Sequence, residues 1–114
     1  GNAYREKGDL EQALMDFSQA IALDPRLSNA YNNRGLVYFH LGDRVKAVED
    51  FNQAVAISPE MAEGYNNLAM VYCEREEFDQ CRKNVEQAQA LGYPYPEEFL
   101  ENLNKQISPT NSAP

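Results

Sequence analysis

The chain has 114 residues, 43% of them hydrophobic, a net charge of −8 and a pI near 4.5. That is one domain's length, with enough apolar residues for a core. The acidic balance argues against nucleic acid as a partner, because a phosphate-binding surface needs clustered Lys and Arg. No apolar run approaches membrane-spanning length, so no membrane association is expected.

Residues 1–7, GNAYREK, read as the last two turns of a helix. Gly8-Asp9 is predicted to be a turn, with Asp9 as N-cap and Gln12 at capping-box spacing. The next helix should run to about Leu23, with Leu10, Ala13, Leu14, Phe17, Ala20 and Ile21 on its apolar stripe. Asp24-Pro25 ends it, since proline disfavours helix at the residue before it. Two helices follow, over about Ser28–Leu41 and Arg44–Ile57, joined by the turn Gly42-Asp43. Gly35 should face the partner helix and let two backbones approach. Phe51 should lie in the core. A third pair is predicted over about Ala62–Arg75 and Phe78–Leu91, with Glu76 where the earlier turn has Gly42 and with Gly92 stopping its second helix.

Positions 34 apart agree in order: Tyr4, Tyr38 and Tyr72; Ala20, Ala54 and Ala88; Leu23, Ile57 and Leu91. Phe17, Phe51 and, more loosely, Val85 form another column, and Pro25 and Pro59 a fifth. A fixed period of that length marks a stacked repeat array. After Tyr93 the period fails. Pro96 starts a further helix, with Glu97 and Glu98 in its first turn. Phe99, Leu100, Leu103 and Ile107 form its apolar stripe, which suits a helix capping the last repeat.

Tyr31, Gly35, Tyr38, Ala47, Phe51, Ala54 and Pro59 fall where the tetratricopeptide repeat (TPR) pattern has an aromatic, a small residue, an aromatic, Ala, Phe, Ala and Pro. The chain therefore resembles the TPR family over about residues 1–93. Arg34 departs from the Leu usual at its place. The resemblance implies an all-α fold of antiparallel helix hairpins stacked as a right-handed α-solenoid. The division it implies is a partial repeat over 1–27, a full repeat over 28–61, a degenerate repeat over 62–93, a capping helix over 94–107 and a disordered tail over 108–114. It also implies a concave groove lined by the first helix of each repeat.

By that register the middle repeat presents Asn29, Asn32, Asn33 and Leu36, with Phe39 or His40. The third presents Glu63, Asn66, Asn67, Met70 and Cys73, and the clipped first repeat Asn2 and Arg5. Asn33 and Asn67 lie one period apart, as do Asn32 and Asn66. A side-chain amide carries donors and an acceptor, so such a ladder can bond the main chain of an extended peptide without reading its sequence. Equally, these amides can serve only neighbouring helices and water. Another TPR subclass grips the acidic C-terminal tails of heat-shock chaperones with Lys and Arg. Here those columns hold Glu63 and Asn67, so no tight binding to an acidic tail is expected.

Catalysis has little support. His40, the lone histidine, sits at a helix end where it complements the dipole. No metal-ligand spacing, phosphate loop or nucleophile elbow is present, so no catalytic residue, cofactor or metal site is expected. Cys73 and Cys81 match no redox or metal motif. Cys81 holds a small-residue column, and the pair reads as unbridged in a reducing, cytoplasmic setting. The acidic run Glu74–Asp79 reads as a solvated loop or, more sharply, as a steering patch for a basic partner.

The leading expectation is a non-catalytic protein–protein interaction scaffold that binds an extended, neutral or basic peptide or a partner helix. The alternative is a structural segment of a larger array that self-associates through its open N-terminal end. A regulatory array attached to a separate catalytic domain is a third.

Overall fold

A computed structural model describes the backbone of residues 2–111 and the side chains over 6–106. Within those residues the fold is all-helical. The order is α1 (Asn2–Leu23), α2 (Ser28–His40), α3 (Arg44–Ile57), α4 (Ala62–Glu74), α5 (Phe78–Ala90) and α6 (Glu97–Asn111). Each helix packs mainly on its sequence neighbours, and the α2 backbone also approaches that of α4. Such nearest-neighbour packing is a solenoid's. The radius of gyration is 15.8 Å, against about 13 Å for a compact chain of this length.

Two helix starts and stops explain the hairpins. Gly42 has φ +88°, and its N–H and that of Asp43 donate to the Phe39 and Tyr38 carbonyls. That Schellman arrangement ends α2. The Asp43 carboxylate then accepts from the Lys46 N–H at 3.1 Å and starts α3. The hairpin closes on a core where Phe51 and Ala47 have no exposed surface. A Cβ on Gly35 would lie 2.6 Å from the Phe51 ring, so a side chain there would displace it. The α2–α3 approach thus depends on that glycine.

The first hairpin departs from expectation. Gly8 and Asp9 form no turn: α1 is one continuous helix through them. Extending an existing helix gains one hydrogen bond per residue without a new nucleus, which outweighs the roughly 1 kcal/mol propensity cost of Gly8. Ile21 is buried against Ala30, Tyr31 and Ala54, whereas Leu10, Ala13, Leu14, Phe17 and Ala20 are only half-buried.

At the other end, α6 packs on α5. Leu103 is buried with Ala69, Cys81 and Val85, and Leu100 is half-buried beside them. Phe99 lies at the edge of the stripe, stacked on Tyr95 at 5.4 Å. The Ile107 side chain lies outside the described residues. The helix continues to Asn111, so residues 108–111 of the expected tail are helical. Pro109 removes one donor, but its fixed φ is helix-compatible. Residues 112–114 lie outside the description.

The expectation of unbridged cysteines is corrected. Cys73 on α4 and Cys81 on α5 are joined in a disulfide, with Cα atoms 5.1 Å apart. Eight residues in sequence become direct neighbours because the hairpin folds between them, within ordinary disulfide reach.

Candidate functional site: the α2–α4 face

The first helices of successive hairpins, α2 and α4, lie side by side. Between them Asn67 Nδ2 donates to Asn32 Oδ1 at 2.8 Å. Asn32 is 3% and Asn67 8% exposed. A buried amide pair of this kind is costly if either partner is lost, so it fixes the register of α4 on α2. The two asparagines stand 35 apart, one more than the repeat. The bond therefore runs diagonally between columns, which sequence periodicity cannot foresee.

The remaining sequence-predicted residues are divided by that pair. Asn29, Asn33, Glu63 and Met70 are exposed, while Leu36 and Asn66 are half-buried. Asn66 Oδ1 accepts the Tyr95 hydroxyl at 2.7 Å, tying the segment before α6 to α4. Burial pushes the Tyr95 phenol up to about 12, helped by Tyr93 close by. His40 is exposed, and the Asn2 and Arg5 side chains lie outside the described residues.

Beside this face is an apolar cavity of about 490 Å³ between α4, α5 and residues 93–99. Met70, Cys73, Val85, Tyr95 and Phe99 contribute its walls. Asn66 reaches it too, with its carbonyl already bonded to Tyr95. A shallower hollow lies next to it, lined by Asn29, Glu63, Leu91 and Pro94 among others, and its one charged residue is Glu63. Sequence reasoning found Met70 and Asn66 but not Tyr95 or Phe99. Those two lie outside the repeat, so no column pointed to them.

Three arginines, Arg34, Arg44 and Arg75, are engaged by acidic partners. Arg34 forms a bidentate pair with Asp50, both contacts at 2.8 Å, and also donates to Ser18 Oγ at 3.3 Å. It lies over the rings of Tyr31 and Tyr38. The hydrogen bond to Asp50 holds the Arg34 guanidinium above its usual pKa. This is why Arg replaces the usual apolar residue: it ties α1, α2 and α3 together. Arg44 pairs with Glu74, and Arg75 with Glu77, so the acidic run is partly neutralised. Among the described residues no group of three His, Cys, Asp or Glu could hold a metal ion, and no helix is long and apolar enough to cross a membrane.

Comparison with known proteins agrees with the all-helical repeat fold. A TPR repeat family model matches residues 1–42 and a tetratricopeptide repeat model residues 28–61, together more than half of the chain. No curated protein matches in sequence. Among solved structures, the first TPR of Spaghetti (RPAP3) bound to an HSP90 peptide, SRMEEVD, has a TM-score of 0.78 at 23% identity, covering 97% of this chain and 87% of that one. The first TPR domain of human RPAP3 gives 0.76 at 24%, covering 98% and 87%. The crystal structure of MamA gives 0.71 at 26% over 73% of this chain, which spans 48% of MamA's length.

Proposed function

Because the chain belongs to the tetratricopeptide repeat family, a protein-interaction fold, we propose that it is a non-catalytic scaffold whose α2–α4 face binds an extended peptide or a partner helix. The observation that carries this is the division of labour among the asparagines. Asn32 and Asn67 bond each other beneath the surface and hold the register. Asn29 and Asn33 stay exposed, with Asn66 at the edge, where they can meet a peptide main chain. Leu36 and Met70 supply apolar contact, and Glu63 the charge.

The partner is neutral or basic. Glu63 stands at the mouth of the face and no cation lines the hollows beside α4. Like charge across an interface costs affinity and on-rate. The RPAP3 relative holds an HSP90 peptide ending in EEVD. In this chain Glu63 and Asn67 take the columns where a carboxylate clamp needs Lys and Arg, so an acidic tail finds no anchor.

A randomised heptapeptide array probed with the whole chain tests the proposal. Capture should favour Lys or Arg near apolar residues. The triple change Asn33→Ala, Leu36→Ala and Met70→Ala should abolish capture without loss of helicity. Capture dominated by acidic C-terminal tails, or unaffected by the triple change, would contradict it.

A further inference from the structure

We infer that Cys73 and Cys81 form a reversible thiol–disulfide exchange site, reached by small thiols through the cavity that Cys73 lines. Three observations meet here. The chain has two cysteines, so its only intramolecular exchange partner for either is the other. Both cysteines line the cavity with Met70, Tyr95 and Phe99, but Cys73 is half-buried and Cys81 is 1% exposed, so Cys73 is the sulfur within reach. The hairpin does not need the bond, because the chain contains its own control. One period earlier, α2–α3 holds Phe39 and Ala47 at the corresponding positions. It closes through the same pair of backbone turn bonds with no cross-link: Gly42 to Phe39 and Asp43 to Tyr38, against Glu76 to Cys73 and Glu77 to Tyr72.

A bond needed for folding would be shielded and permanent. This one spans a hairpin already held by packing and borders an open cavity, with Cys73 the more exposed of its two ends. The step is an ordinary exchange. A thiolate attacks Cys73 Sγ, the bond to Cys81 breaks, and Cys81 leaves as a thiolate that takes a proton. A second thiolate attacks the outer sulfur of the mixed disulfide and frees Cys73. Two small thiols are oxidised to one small disulfide, and the protein pair is reduced to two thiols. The reverse, with a small disulfide as oxidant, restores the bond. In the reduced form the two sulfurs must separate to van der Waals distance. Cys73 then swings toward the cavity wall shared with Asn66 and Met70, so the redox state alters that wall.

The test uses the whole chain, with reduced and oxidised glutathione as the probes. Reduced glutathione should convert the oxidised chain to its dithiol, seen by mass after alkylation, while far-UV circular dichroism keeps its helical signal. Oxidised glutathione should reverse it. In Cys81→Ala, glutathione should accumulate on Cys73 several-fold more than it does on Cys81 in Cys73→Ala. Cys81→Ala is safe for folding, since Ala47 fills that column with no exposed surface. A chain reduced only when unfolded, equal labelling of the two cysteines, or helix loss on reduction would each overturn the inference.

Discussion

The hairpins α2–α3 and α4–α5 share a backbone but reach it by different chemistry. In the first, Gly35 makes room for Phe51; in the second, Ala69 faces the smaller Val85, and all but Gly35 are buried to 3% or less. One methyl added on one helix is matched by a smaller side chain on the other, so the contact is conserved in volume and not in identity. The first turn uses Gly42 at φ +88°; the second forces Glu76 to φ +60°. The first helix start has the Asp43 side-chain cap, while Glu77 makes none. The first carries the ion pair Arg34–Asp50 between its helices, and the second the disulfide Cys73–Cys81. Equivalent columns are thus constraints on space and backbone, met by whatever pair of residues satisfies them.

The largest expected effect tests the first core. Phe51→Ala should cost about 3–5 kcal/mol by chemical denaturation, because its ring is fully enclosed. Next, Asp50→Ala should cost about 3 kcal/mol, leaving Arg34 without its charge partner; the guanidinium's partial exposure keeps the value at the low end. Gly35→Ala should cost about 1–3 kcal/mol by overpacking. Adding Phe51→Val to it imitates the second hairpin and should give less than the sum of the two single losses, a coupling of at least about 0.5 kcal/mol. Strict additivity would break the volume argument.

The turns give smaller effects of opposite sign. Glu76→Gly should stabilise by about 1 kcal/mol, by removing a left-handed non-glycine residue; no gain would mean that the turn stores no strain. The smallest effect concerns Tyr95, whose folded pKa of about 12 exceeds the unfolded value of 10.0. Its contribution is whole below pH 10 and is lost as pH rises from 10 toward 12. An ultraviolet phenolate titration should show a late component near pH 12 that disappears in Tyr95→Phe.

The period made the middle helices legible: α2 and α3 lie within one residue of their predicted ends. It failed where the local context changed. Gly8-Asp9 carries the same letters as Gly42-Asp43 but forms helix. A turn sequence permits a reversal only when burial on both sides favours it. The disulfide is hidden in the sequence because the two cysteines meet across the hairpin, eight residues apart along the chain. At the candidate site, Asn33 and Asn67 look equivalent in sequence, yet Asn33 is exposed and Asn67 lies in a diagonal bond to Asn32. That difference arises from the offset between neighbouring helices, a tertiary quantity.

The most direct test of the binding face is amide chemical-shift mapping with a lysine-containing, apolar heptapeptide selected from the array. The account predicts that shifts concentrate on Asn29, Asn33, Leu36, Glu63, Asn66 and Met70. Shifts centred on the outer helices α3 and α5, with α2 and α4 silent, would contradict it.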